Sequence, residues 1–221
     1  MSVTTLVGES WAQIMGPEFT KPYMRKIYAT LKKEREEHTV YPNHDDLFKA
    51  YRLTPYDKIR VVIVGQDPYH NGYADGLAFS SNDDKFVPQS LRNIFKEIGY
   101  KSEDSKYPCS SNLERWANQG VFLLNTCLSV RKGLPNSHSK IGWQEFTFKT
   151  IQALSERKER IFFMLWGAHA RKYSEYIDLH HVTLEAAHPS PFSADKGFFG
   201  CGHFEFVNFH NKLDNLPEIN W

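Results

Sequence analysis

From Ile59 to His70 the chain reads IRVVIVGQDPYH, a β-branched apolar run that breaks at Gly65 into a polar turn carrying Gln66, Asp67, Tyr69 and His70. A run so short and so rich in Val and Ile predicts a strand covered on both faces, as in a parallel sheet. Three further apolar runs of strand length follow: Val121 to Leu124, Ile161 to Leu165, and Val182 to Ala187 with interspersed polar residues. Each ends in a polar motif, Asn125-Thr126, Trp166-Gly167-Ala168-His169 and His188-Pro189-Ser190-Pro191 respectively. Helical spacing separates them. Leu91, Ile94, Phe95 and Ile98 recur at i, i+3, i+4 and i+7, and Trp143, Phe146, Thr147, Ile151 and Leu154 mark a second amphipathic segment. Strands alternating with helices predict right-handed crossovers and an α/β fold, a three-layer α/β/α sandwich around a central four-stranded parallel sheet. Parallel strands share a direction, so the polar motifs emerge on one edge, where ligands of open α/β sheets bind.

The segment through Tyr56 reads as helices punctuated by Pro17, Pro22, Pro42 and Pro55. There is no internal repeat and no low-complexity linker, and 221 residues can bury one full core. The expectation is a single domain over residues 1–221, with a helical part of about residues 1–56 packed on the α/β core.

Composition narrows the function classes. Apolar residues make up 41% of the chain and no run is long enough to cross a bilayer, so no membrane partner is expected. The start, MSVTTLVGESWAQ, lacks a basic region followed by an apolar stretch, so cytoplasmic residence is expected. Cys109, Cys127 and Cys201 are odd in number and far apart, which predicts free thiols and argues against a disulfide framework or a cysteine-ligated metal. No His-Glu-x-x-His pattern occurs among the ten histidines, and His180 and His181 are expected on opposite faces of a strand, so no metal is expected. The net charge of +1 neither demands nor excludes nucleic acid. Basic residues from Lys21 to Lys33 run directly into Glu34, Glu36 and Glu37, which reads as a solvated helix face.

The ordered series GQDPYH (65–70), GLAFS (76–80), LLNTCLSV (123–130) and HPSPFSADKGFFG (188–200) resembles family-1 uracil-DNA glycosylase. The similarity extends through NSHSKIGWQEFT, LWGAHA and PEINW, from about Tyr41 to the end. The resemblance implies removal of uracil from single- or double-stranded DNA by hydrolysis of the N-glycosidic bond after base flipping, by a monomer without a cofactor. Breaking that bond produces an oxocarbenium-like sugar and a uracil anion, so negative charge is needed beside the sugar and donors at the base.

By the same resemblance Asp67 stands near the anomeric carbon and orients the attacking water, and His188 donates to uracil O2. Asn125 reads N3–H and O4, Phe79 stacks under the base, Tyr69 occupies the space of a thymine methyl, and Gln66 offers its backbone N–H. His70 matches a histidine linked to the catalytic water and phosphate region. Short loops at Pro88-Gln89-Ser90, at Gly167-Ala168 and at Ser190 match phosphate-binding places, with Ser90 at a helix start. Apart from the series, an Asp before Pro68, an Asn after a strand or a His before Pro189 reads equally as a turn or cap residue, and Phe79 as core.

The chain departs from the family pattern at several points. Phe192 stands where a leucine wedge is usual, and either residue unstacks a DNA step. The loop after His70 is one residue shorter and carries Asp75, which places an unexpected acid near DNA. Gln89 replaces a proline, Ala168 a serine and Lys196 an arginine, exchanging a planar fork for a point charge. DNA affinity is the property these changes touch. The resemblance also implies susceptibility to a phage-encoded, DNA-mimicking inhibitor protein. A non-catalytic DNA-binding factor on the same fold is the alternative, although a pure binder has no need for the Asp67 carboxylate. A nucleotide-binding α/β domain is disfavoured, because no Gly-x-Gly-x-x-Gly or phosphate-loop lysine follows any strand.

Overall fold

The computed structural model describes residues 2–83, 87–100 and 110–221. The N-terminal part is built from α1 (Val3–Val7), α2 (Glu9–Met15), α3 (Pro22–Glu37), β1 (Val40–Tyr41) and α4 (Lys49–Leu53). Pro22 opens α3, where its missing N–H has no intrahelical partner to lose. The α/β part continues with β2 (Val61–Gly65), α5 (Gln89–Ile98), α6 (Glu114–Ala117), β3 (Val121–Asn125), β4 (Val130–Arg131), α7 (Trp143–Ser155), β5 (Phe162–Trp166), α8 (Gly167–Arg171), β6 (Val182–Ala186) and α9 (His203–Leu213).

The main sheet has four strands in the order β3-β2-β5-β6, all parallel. β2, β3 and β5 are buried at every residue, as their unbroken apolar runs predict. β6 lies at the edge, so Thr183 and Glu185 turn to solvent while Ala186 stays buried. A short antiparallel pair, β1 with β4, was not foreshadowed by the pattern, since two residues carry no period.

Period-two alternation assigns the layers. Val62, Phe122 and Phe163 are register partners and share one face. There Phe122 meets Trp11 of α2 and Tyr51 of α4, each at 5.1 Å between ring centroids, and Tyr51 meets Phe146 of α7. Phe162 and Trp166 lie on the other face, against Phe206 and Phe204 of α9. Trp116 of α6 joins Phe204 to Phe95 of α5. The result is helices, sheet and helices, the expected three layers.

Two sequence expectations are corrected here. His180 and His181 are not on a strand; they occupy the turn before β6 with ring centroids 3.8 Å apart. His180 bonds to Asp178 and to the carbonyl of Arg157, and His181 Nδ1 accepts from the N–H of Ile161, so the turn caps the amino edge of the sheet. The charged run on α3 is also not wholly solvated. Lys33 and Glu37 are exposed, but Glu34 turns inward to Arg131, and Arg35 donates to the carbonyls of Val40 and Pro42. Cys127 and Cys201 are free thiols, whereas Cys109 lies outside the described residues. Among the described residues, no helix is long and apolar enough to cross a membrane.

Candidate active site

The carboxyl ends of the strands are level, with Gly65 opposite Asn125 and Trp166 opposite Ala186. From β2 the chain moves to β3 on one side, and β5 and β6 follow on the other, so the order reverses between β2 and β5. Clefts form at such a reversal. A cavity of about 190 Å³ opens at this edge, and Gln66, Asp67, Tyr69, His70, Phe79, Ser90, Asn125 and His188 all line it. A larger cavity of about 660 Å³ lies by α5, α9 and Trp221, away from the strand ends, so volume alone does not find the site.

The turn after β2 is clamped to the end of β3. The Gln66 carbonyl accepts from Cys127 N–H at 2.9 Å and from Thr126 Oγ1 at 3.0 Å. Because the single Thr126 hydroxyl proton goes there, Nε2 of His169, 2.7 Å from Thr126 Oγ1, is the donor in that contact. Asp67 follows, half-buried, and its Oδ2 accepts from the backbone N–H of Asn136 at 2.8 Å. Asn136 holds a left-handed φ of 60°, and its Oδ1 accepts from Gln66 Nε2 at 2.6 Å. Burial pushes the Asp67 carboxyl up from its ordinary range, while the Asn136 N–H and the neighbouring His70 and His169 pull it back.

Asn125 is buried, yet its amide makes no hydrogen bond to the described residues. Buried amides are normally paired within the fold, so one facing a cavity is available to a ligand. Gly65 makes the room: a Cβ there would stand 2.3 Å from Asn125 Oδ1. Phe79 has a φ of 65°, an outlier for a bulky side chain. Asp75 holds that conformation in place. It is buried, accepting from Leu77 N–H at 3.1 Å and from Ser80 Oγ at 2.6 Å on either side of Phe79. The expectation that Asp75 faces DNA is therefore corrected; it fixes the loop that presents the Phe79 ring, which lies 5.9 Å from the His188 ring. Tyr69 hydroxyl donates to the Phe79 carbonyl at 3.3 Å and ties the two aromatics together.

His188 follows β6, and its Nδ1 accepts from Ser190 N–H at 3.0 Å. Burial pushes its pKa down, so the ring is neutral near pH 7 with the proton on Nε2, a donor for the cavity. Gly167, with φ 83°, packs against it so closely that a Cβ would lie 2.9 Å from His188 Cβ.

A carboxylate, a neutral imidazole donor, an unpaired amide and two aromatic walls thus converge on one pocket. The family model described as "Uracil DNA glycosylase superfamily" matches residues 52–210. The uracil-DNA glycosylase of Actinobacillus succinogenes is 44% identical over 96% of this chain and 97% of its own length. The chain belongs to the uracil-DNA glycosylase superfamily. The uracil-DNA glycosylase of Phocaeicola vulgatus is 46% identical, covering 97% of this chain and 98% of that protein. The crystal structure of mimivirus uracil-DNA glycosylase superposes with a TM-score of 0.89 at 28% identity, covering 98% of this chain and 87% of that one. A variant of the mimivirus enzyme has also been solved in complex with UGI.

Of the loops expected to contact phosphate, the one at Ser90 lines the pocket itself. Pro88 caps α5, so Gln89 and Ser90 stand in its first turn, where backbone N–H groups are unpaired. Gly167 and Ala168 line an adjoining cavity of about 140 Å³ that shares Gly65, Gln66 and His188 with the main site. The His188 loop is internally bonded: Ser193 Oγ donates to the His188 carbonyl at 2.8 Å, which leaves Ser190 Oγ to donate to Ser193 Oγ, also at 2.8 Å. Asn93 of α5 donates to the Pro189 carbonyl at 2.8 Å and ties this loop to the Ser90 helix. Phe192 projects from the loop with 87% of its surface exposed, and Lys196 is exposed beyond it. Asn136, His169 and Asp75 were not read as site residues from sequence: Asn136 and His169 act through bonds that span 69 and 43 positions, and Asp75 through bonds inside its own loop.

Proposed function

We propose that this glycosylase is of family 1 and that the pocket receives a uracil flipped out of single- or double-stranded DNA, hydrolysing its N-glycosidic bond to leave free uracil and an abasic site, the first step of base excision repair. Asn125 reads the base, its carbonyl accepting N3–H and its NH₂ donating to O4. Cytosine reverses that pattern and leaves buried partners unpaired, a discrimination on the order of 10⁴ or more. Phe79 stacks on the base. Tyr69 walls off the position a thymine methyl needs, because one methyl in a yielding pocket shifts discrimination by only about 1–3 kcal/mol.

As the bond lengthens, charge develops at both ends of it. The Nε2–H of His188 meets the growing negative charge on uracil O2, and the Asp67 carboxylate stabilises the sugar cation and orients water for attack. Gln66 contributes its backbone N–H and His70 the water and phosphate side. Pro88, Gln89, Ser90, Gly167, Ala168, Ser190 and Lys196 hold the backbone, and Phe192 fills the vacated stack. We also read the 221 residues as one domain acting as a cytoplasmic monomer; the apolar core that runs from Val7 to Trp221 among the described residues supports the first part of that reading. The UGI complex of the mimivirus relative supports a DNA-mimicking inhibitor protein as a partner for the same loops.

The observation that carries this reading is the pairing of a buried Asn125 amide, without a hydrogen bond to the described residues, with the Asp67 carboxylate and the His188 donor in one cavity. The test is excision from oligonucleotides bearing uracil, thymine or cytosine at one position, with chelator in every tube and Asp67→Asn beside the native chain. Uracil-only, chelator-resistant excision that falls about 10²–10³-fold in the variant is expected. DNA binding without excision would instead leave a non-catalytic factor.

A further inference from the structure

Helix α3 sends one carboxylate inward, far from the pocket in sequence. Glu34 accepts a bidentate pair from Arg131, Nε at 2.9 Å and Nη2 at 2.6 Å, and its Oε2 lies 3.3 Å from Nε2 of His138. A carboxylate only accepts, so His138 carries its proton on Nε2. Burial keeps that ring neutral, leaving Nδ1 to accept from Ser129 Oγ at 2.8 Å, which in turn accepts from Trp143 Nε1 at 2.8 Å. The partners of Glu34 stand at the two ends of residues 131–138. Within that segment Arg131 N–H binds Ser137 Oγ at 2.8 Å, and Arg131 bridges to Leu134. At its tip is Asn136, whose N–H reaches Asp67.

We propose that Glu34 is a positioning residue for uracil excision: by clamping Arg131 and His138 at the ends of one loop, it holds Asn136 against the Asp67 carboxylate. The inference rests on the reading of Asp67 as the carboxylate beside the anomeric carbon. It also gives the inward turn of Glu34 a role beyond packing the helical part on the core.

The sign of the pH effect follows from what faces each group. Asp67 is surrounded by the Asn136 N–H, by His70 from its own turn, by His169 from α8 and by Cys127 after β3. Around Glu34 stand Arg131 and His138, with Arg35 near His138 and Glu37 near Arg131. Burial favours the protonated Asp67, and the Asn136 N–H favours the ionised one. Loosening the loop removes the second influence, so the acid limb of the excision rate moves to higher pH.

The experiment is single-turnover excision from a uracil-containing single strand over a pH series, with substrate half-saturation and thermal melting measured alongside. Native chain, Glu34→Gln, Asp67→Asn, the double variant and Glu37→Gln, an exposed-carboxylate control on the same helix, are compared. Glu34→Gln is expected to lose roughly 10- to 100-fold in maximal rate, with half-saturation unchanged and the acid limb shifted upward. Glu37→Gln should match the native chain, and the double variant should be no slower than Asp67→Asn. A native rate and pH profile in Glu34→Gln overturns the proposal, as does an equal further loss in the Asp67→Asn background. Native activity in Asp67→Asn overturns the reading of Asp67 itself, whatever Glu34 does. If Glu34→Gln fails to fold, Arg131→Lys keeps the charge, loses the fork and is read by the same criteria.

Discussion

Gly65 brings its strand, the Asn125 amide and the loop that carries Phe79 into contact. A Cβ at this position would stand 2.3 Å from Asn125 Oδ1 and 2.9 Å from Ala78 Cβ, inside any real contact distance. The φ of Gly65 is not positive, so alanine meets steric conflict without backbone strain. Gly65→Ala is expected to fold, displace the Asn125 amide and reduce single-turnover uracil excision by roughly 10²-fold, since a misplacement near 1 Å has about that effect. An unchanged rate would mean that Asn125 does not need that space. At this scale the sequence was legible where chemistry is concentrated in short words at strand ends: Asp67, Tyr69, Phe79, Asn125 and His188 were all placed by their motifs and all line the cavity. Asn136 acts on Asp67 across 69 positions through a backbone N–H, which every residue but proline possesses, so its type says little.

Elements were legible in proportion to their length and period. The four parallel strands and helices α5 and α7 emerged near their expected places because apolar spacing over five or more residues is hard to satisfy otherwise. The loop between β2 and α5 has no period, and there a charge was misjudged: Asp75 looked like a surface acid and is a buried tie. Asp75→Ala leaves Leu77 N–H and Ser80 Oγ without their acceptor, at a cost of about 1–3 kcal/mol for each buried group, and frees Phe79 from its left-handed φ. A fall in Tm of several degrees is expected, together with weaker uracil binding measured by product inhibition. Asp75→Asn retains an acceptor and should lose less. Equal losses in the two variants would show that charge, including the nearby Lys49, outweighs the hydrogen bonds.

For the whole molecule, a net charge of +1 supplies no general field for a polyanion, so the DNA contacts proposed above fall to local loops. Those loops share one edge because every strand of the main sheet points the same way, and that much follows from the alternating pattern alone. What projects beyond them does not: Phe192 is 87% exposed, on a loop braced by the bonds from Ser193 to His188 and from Asn93 to Pro189. A large aromatic so exposed on a hydrogen-bonded loop beside the proposed catalytic pocket suits insertion into a base stack. Opening a duplex requires unstacking and unpairing, whereas a single strand offers little of either to overcome. Phe192→Ala should therefore slow single-turnover excision from duplex DNA by about tenfold or more, the few kcal/mol of unstacking no longer being offset, and leave the single-stranded rate near native. Phe192→Leu should restore most of the duplex rate, because an apolar wedge needs volume more than a ring. Equal slowing on both substrates would place Phe192 in general DNA docking, and a leucine variant as slow as alanine would show that the ring itself stacks on the neighbouring base.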